Sequence, residues 1–276
     1  MTDATKPFFI VSSGRSGTAM LHKALLAAGD VDMHHEYMVH IVQPLAVCRY
    51  LNWADRAQTL ATLKATYGAA IHFSEARLWG DSSNKASWLI SELHELFPAA
   101  KFVHLVRDGR KVASSYFHKL GDECYDDRST EILRAFAERR GRMPPPEKKY
   151  WWPIPRPDDM AARDFENFDQ FQRIAWHWSE INRVILSALS SVPRERQHFV
   201  RLEDLQYDRC AIGTLLAFLD LPFAEPVAAL FRRPHNVNRP EDRLLDAPQC
   251  KKFEAIAGAM MQELGYANEP EYVVNY

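Results

Sequence analysis

The stretch that most constrains the fold is residues 7–29. Residues 7–12 (PFFIVS) form a short run rich in aromatic and β-branched side chains, which suits a strand buried on both faces. Gly14 and Gly17 interrupt it, and residues 18–28 (TAMLHKALLAA) then predict a helix closed by Gly29. A buried strand, a glycine turn and a helix in that order predict an α/β chain with a central, mostly parallel sheet flanked by helices. The same alternation recurs downstream. Val31 to Met33 predict a second strand leading into His34, His35 and Glu36, and residues 38–66 predict helix with a break near Asn52. Residues 69–73 (AAIHF) are a weaker strand candidate. Residues 84–97 predict a helix with Asn84 as its N-cap and Pro98 as its stop. Residues 101–106 (KFVHLV) and 197–202 (QHFVRL) predict strands, and helices are expected over 109–118, 169–190, 208–220, 225–232 and 249–264.

A chain of 276 residues with 47% hydrophobic side chains can build one large core, so a single domain over 1–276 is expected. Residues 120–168 differ in character, with PPP, WWPIPRP and dense charge, and predict an irregular insertion, either a lid or a binding loop. The net charge of −2, with acids and bases interspersed, excludes a general attraction to nucleic acid. The spacing of Cys48, Cys124, Cys210 and Cys250 suggests neither a zinc site nor a disulfide framework, so no metal is expected. The N-terminus has no basic n-region, and the apolar run Phe8 to Val11 is too short for a membrane span. These features predict a soluble, cytoplasmic protein.

Ser12-Ser13-Gly14-Arg15-Ser16-Gly17-Thr18 joins the first strand to the first helix. Glycines let backbone N–H groups approach an anion, and the helix N-terminus adds orphan N–H groups and the positive end of its dipole. Ser16 and Thr18 add hydroxyls, and Arg15 adds a forked cation suited to phosphate or sulfonate oxygens. The loop lacks the Gly-Lys-Ser/Thr of an ATPase loop. A second site follows the KFVHLV strand, where Arg107 stands at the strand end and Ser115 lies two turns into the next helix. Asp108 beside it imitates the acid that holds magnesium in P-loop kinases.

Together these two motifs resemble the sulfotransferase family that uses PAPS (3′-phosphoadenosine 5′-phosphosulfate) as donor. SGRSGTAML resembles the family's 5′-phosphosulfate loop, and FVHLVRDGRKVASSYFH resembles its 3′-phosphate motif. GDSSNKASWLISELHELFPAAKFVHLVRD, WHWSEINRVI, VRLEDL and FRRPHNVNRP resemble further stretches of it. The resemblance implies a P-loop-like sulfotransferase fold, PAPS as donor and PAP as product. It implies that Ser13, Gly14, Arg15, Ser16, Gly17 and Thr18 hold the 5′ side, that Arg107 and Ser115 hold the 3′-phosphate, and that Arg232, Arg233, Asn238 and Arg239 are candidates for closing on the nucleotide. The family often has a lysine before the serine of the loop that here reads Asp81-Ser82-Ser83, and this chain has none there.

Sulfuryl transfer needs a base for the acceptor and cationic groups for the leaving phosphate. Glu36 is the first candidate for the base, His35 the second and His34 the third, with Arg15 a catalytic cation. Strand neighbours point to opposite faces, so Glu36 and His35 share the site only if the chain turns between them. Ser82 and Ser83 either reach the donor or cap the following helix. Trp176 and Trp178 are expected in the core, and Trp151 and Trp152 either line an acceptor pocket or pack the insertion down. The acceptor, a small molecule, carbohydrate or other hydroxyl or amine carrier, is not specified by any motif. Two other readings are a kinase using ATP and Mg²⁺, with Arg15 and Asp108 in the usual lysine and acid places, and a non-catalytic nucleotide binder.

Overall fold

The apolar run at the start of the chain becomes the central strand, β1 (Lys6–Val11). The structure, a computed structural model, describes residues 5–231, 244–267, 269 and 270. After β1 come α1 (Thr18–Leu26), β2 (Val31–His35), α2 (Val39–Tyr50), α3 (Arg56–Leu63), α4 (Ala69–Phe73) and β3 (Leu78–Ser82). Then follow α5 (Ile90–Leu96), β4 (Lys101–Val106), α6 (Gly109–Lys119), α7 (Asp127–Ala137), α8 (Ala161–Phe165) and α9 (Gln170–Leu189). The described chain closes with β5 (Gln197–Arg201), α10 (Leu202–Tyr207), α11 (Arg209–Phe218), α12 (Glu225–Phe231) and α13 (Ala247–Glu263). The strands form one sheet in the order β2-β3-β1-β4-β5, every described pair parallel.

Alternation along β1 explains why it is apolar on both faces. Phe9 and Val11 enter the larger core, with Trp79, Phe102 and the side chains of α2, α5, α6, α9 and α13. Phe8 and Ile10 enter the second core, with Val103, Leu105 and residues of α1, α11 and α12. Strand neighbours lie on opposite faces, so a parallel sheet covered on both sides needs this unbroken run. Beside β1 the strand order reverses, since β3 flanks it on one side and β4 on the other. Open α/β sheets bind ligands at the carboxyl ends of the strands around such a point.

Three sequence expectations fail locally. AAIHF is helix α4, continuing a π-helical turn over Lys64–Gly68, because Tyr67 and Ile71 point inward at helical spacing. The missing strand is β3, LWGDS, in which a glycine and two polar residues imitate a turn; all five residues are buried. Asn84 does not cap a helix over 84–97. A 3₁₀ turn over Ala86–Trp88 precedes α5, and the Asn84 amide donates to the Tyr116 hydroxyl at 3.3 Å. The insertion is also less irregular than expected. It holds α7, capped by Asp126. Trp151 and Trp152 are buried, and their indole N–H groups donate to Pro145 O at 2.6 Å and Glu123 O at 2.7 Å. Their rings pack the insertion down instead of lining an open pocket. Trp176 and Trp178 are buried as expected, Trp178 against Phe253. No helix among the described residues is long and apolar enough to cross a membrane.

Candidate active site

The loop from β1 to α1 needs left-handed backbone at three points: Gly14 (φ 78°), Arg15 (φ 54°) and Gly17 (φ 94°). Gly14 is required twice over, since a Cβ there would also overlap the Tyr116 hydroxyl and the Asn84 amide. Tyr116 in turn donates to Ser13 O at 3.0 Å, so α6 holds the loop from below. Gly17 precedes α1 without any side-chain cap, which leaves the helix's first N–H groups open to an anion. Ser13 and Ser16 are buried, 3.0 Å apart through their hydroxyls, and both lie within hydrogen-bond reach of Gly14 O. Their side chains therefore brace the loop. Thr18 sits at the first position of α1.

The second loop meets the first directly. Arg107, at the end of β4, donates through Nη1 to Arg15 O at 3.0 Å. Arg15 reaches across to α6 and donates through Nε to Ser115 Oγ at 2.9 Å. Arg15, Arg107 and Ser115, three residues singled out in two motifs about ninety residues apart, thus converge at the carboxyl ends of adjacent strands. Asp108 caps α6 through Arg110 N, and its carboxylate takes a forked bond from the Arg110 guanidinium, 2.7 Å at the closest. Behind it, Glu203 accepts from Asp108 N at 3.0 Å and from Tyr266 at 2.9 Å. An acid so engaged is poorly placed to hold magnesium, and no cluster of three metal-ligating side chains occurs among the described residues. Arg232, Arg233, Asn238 and Arg239 lie outside the described residues.

β2 and β3 carry the other candidates. The chain does turn after β2. Glu36 is left-handed (φ 54°) and its N–H donates to Ser82 O at 3.2 Å. The turn is held by Asp81, a fully buried carboxylate that accepts from Tyr37 N at 3.1 Å and from the Tyr67 hydroxyl at 3.0 Å. Burial pushes the Asp81 carboxyl up to about 6 against those two donors. His35 is exposed, and its Nδ1 lies 3.0 Å from both Ser82 O and Ser82 Oγ. A carbonyl oxygen only accepts, so Nδ1 is the donor, and in the neutral ring Nε2 carries the lone pair. His34 packs against Trp79 and Tyr37, on the far side of the strand from His35. Ser83 Oγ accepts from Lys85 N at 3.1 Å and caps the short turn, so the capping role is the one it fills here.

One functional candidate escaped the sequence reading. Lys85 follows Ser83 by two residues, is 5% exposed, and holds its ammonium 4.3 Å from the centroid of the Trp152 ring. Burial pulls its pKa down to about 8, against the attraction of Glu36. Glu36 experiences the converse. Burial alone would raise its carboxyl, but Lys85 and an ion pair with Lys148 of the insertion bring it below the ordinary value. Its signal in the sequence is a cation in the same loop, two residues after Ser83 instead of before the serines.

The comparisons with known proteins agree with this arrangement. The model of the Sulfotransferase family matches residues 7–143, the stretch that contains both loops, β3 and Lys85. No curated protein matches the chain. Among solved structures, a sulfotransferase from Alicyclobacillus acidocaldarius is 14% identical with a TM-score of 0.56, over 98% of both chains. The sulfotransferase domain of the Synechococcus PCC 7002 olefin synthase is 18% identical with a TM-score of 0.52, again over 98% of both chains. Sulfotransferase STF9 from Mycobacterium avium is 13% identical with a TM-score of 0.52, over 95% of this chain and 77% of its own. At such identities the structural likeness speaks for the fold, and the family match supplies the rest. By that match over residues 7–143, together with its parallel sheet and its two interlocked loops, the chain belongs to the sulfotransferase family.

Proposed function

We propose that the chain moves the sulfuryl group of PAPS to a hydroxyl or amine of an acceptor and releases PAP. One observation carries the reading, the mutual contact of Arg15 with Ser115 and Arg107. These groups hydrogen-bond one another. A doubly phosphorylated adenosine offers better acceptors to each, because charge-assisted bonds to phosphate are roughly twice as strong as neutral ones. The backbone of Gly14–Thr18 and Arg15 would take the 5′ side, and Arg107 with Ser115 the 3′-phosphate.

In the reaction the acceptor oxygen or nitrogen bonds to sulfur as the bond from sulfur to the bridging phosphate oxygen breaks. Arg15, the α1 N-terminus and Lys85 supply positive charge for the leaving phosphate. Lys85 fills the place left by the lysine that the Asp81-Ser82-Ser83 loop lacks. The acceptor's proton goes to His35 Nε2, since Ser82 O fixes the ring with that lone pair outward. Glu36 as the base is the second reading, favoured by its turn position but opposed by the two lysines that lower its proton affinity.

Thermal unfolding with PAP and with ATP–Mg²⁺ tests the donor. PAP is expected to raise the melting temperature without any metal; stabilisation by ATP–Mg²⁺ and none by PAP would favour the kinase reading. Turnover separates the bases. His35→Ala is expected to abolish it with PAP affinity intact, and a normal rate in that variant with loss in Glu36→Gln would move the role to Glu36.

A further inference from the structure

A second concavity opens at the opposite end of the sheet, where the strands begin. Its volume is about 190 Å³. The floor is apolar, made by Phe8, Leu78 and Leu219, each almost fully buried, and the rim is cationic, made by Lys6, Lys101 and Arg196. Arg77 adds a fourth cation, donating to Asp220 O at 2.9 Å. The one acid on the rim, Asp220, is already taken by Lys101 at 2.6 Å. The Lys6 ammonium has no hydrogen-bond partner among the described residues, and Arg196 spends only Nη1, on Ala99 O at 2.8 Å.

Two costs coincide here. Apolar side chains facing a void forgo the dispersion contacts that a packed interior supplies. Four cations beside one acid repel one another, in a chain whose net charge is only −2. An apolar ligand would relieve the first cost alone and an inorganic anion the second alone. A small anion with an apolar body relieves both.

We propose that this concavity binds a compact aromatic carboxylate, with its ring on Phe8, Leu78 and Leu219 and its carboxylate held by Lys6 and Arg196. The size is suitable, because an apolar cavity of about 150 Å³ is enough to admit benzene. A nucleotide is too large and too polar for such walls. The site is independent of the proposed sulfuryl transfer. β1 carries Lys6 at one end and the anion loop at the other, and six strand residues span roughly 20 Å. A carboxylate here and a nucleotide there do not compete.

The test is calorimetry and thermal unfolding of the full chain with benzoate, using benzamide as the neutral isostere. Benzoate is expected to bind and to raise the melting temperature equally with and without saturating PAP, and benzamide is expected to bind far more weakly. Lys6→Gln and Arg196→Gln should each lower benzoate affinity about tenfold, the loss of one charge-assisted bond. Ala99→Leu, at an exposed wall position, should block the mouth and abolish binding while leaving the fold intact. The proposal is overturned if benzoate does not bind, if benzamide binds equally well, if the variants bind like the parent, or if PAP displaces benzoate.

Discussion

Replacing Lys85 by methionine is expected to make the protein more stable and less active. The two side chains have similar length, so packing against Trp152 is largely kept. Burial lowers the Lys85 pKa from 10.5 to about 8, which at 1.36 kcal/mol per unit amounts to about 3 kcal/mol charged against the folded state. The contact with the Trp152 ring returns about 1 kcal/mol. The net gain for Lys85→Met is therefore about 2 kcal/mol, or roughly 4 °C in melting temperature for a chain of this size. The pH dependence gives the idea its own check. Between pH 8 and 10.5 the folded state binds fewer protons at this position than the unfolded chain, so wild-type stability rises with pH through that window. Below pH 8 the penalty is complete, and above 10.5 it is gone. Urea unfolding of both proteins should show the variant ahead at pH 7 and the gap closing towards pH 10.5. Turnover should fall by about 10²–10³, the usual loss on removing one group that stabilises developing charge. A variant less stable at pH 7, or a gap that ignores pH, would show that the buried charge of Lys85 carries no such penalty. Loss of stability together with activity would make Lys85 a packing residue.

Three further outcomes are expected. Gly14→Ala forces a side chain into left-handed backbone against Tyr116 and should cost about 1–3 kcal/mol and most PAP affinity, measured by thermal unfolding and calorimetry. Arg107→Ala and Ser115→Ala should weaken PAP more than tenfold while adenosine 5′-phosphosulfate, which lacks the 3′-phosphate, is barely affected; equal losses for the two nucleotides would remove the assignment. Asp81, with its carboxyl raised from 3.8 to about 6, binds its proton more tightly in the folded state, so stability should fall as pH rises from about 4 to 6, by up to about 3 kcal/mol. Asp81→Asn should flatten that segment of the stability curve; an unchanged slope would place its cause elsewhere.

The sheet was legible where the chain is apolar at a period that only a buried strand requires. β1 and β4 stand out in this way, and each ends in a motif whose residue types suit anions. β3 did not, because its Gly80, Asp81 and Ser82 look like turn residues. They are tolerated because Gly80 lets Phe8 and Met33 close over the strand and because Asp81 finds two donors. Those partners come from other elements, and a local window cannot contain them. The same holds for Lys85. Its neighbours in sequence are ordinary, and what singles it out is the Trp152 ring above it and Glu36 nearby, contributed by the insertion and by the turn after β2. The insertion reads as irregular for a related reason. Prolines and charge conceal α7, whose apolar side is recognisable only once Trp151 packs against Phe136.

The two lysines around Glu36 differ in how firmly the fold commits them. Lys85 is inside the protein, on a loop pinned by Ser83 N–H to Ile10 O and by the Ser87 hydroxyl to Ser12 O, at the β1 end that bears the Gly14–Gly17 loop. Lys148 belongs to the insertion, and its side chain is 42% exposed. Lys148 holds the pair from its solvent side, so an acceptor arriving beside Glu36 can displace it, whereas moving Lys85 would mean unpacking Trp152. Under the proposed reaction this divides the charges by task, with Lys85 fixed on the donor side and Lys148 exchangeable on the acceptor side. Displacement of Lys148 also removes one of the influences that depress the Glu36 carboxyl, and so raises its affinity for a proton at the moment an acceptor is present. Lys148→Ala therefore discriminates between the two bases. If His35 takes the proton, the variant keeps its rate; if Glu36 does, the acid limb of the pH–rate profile moves to higher pH with PAP affinity unchanged.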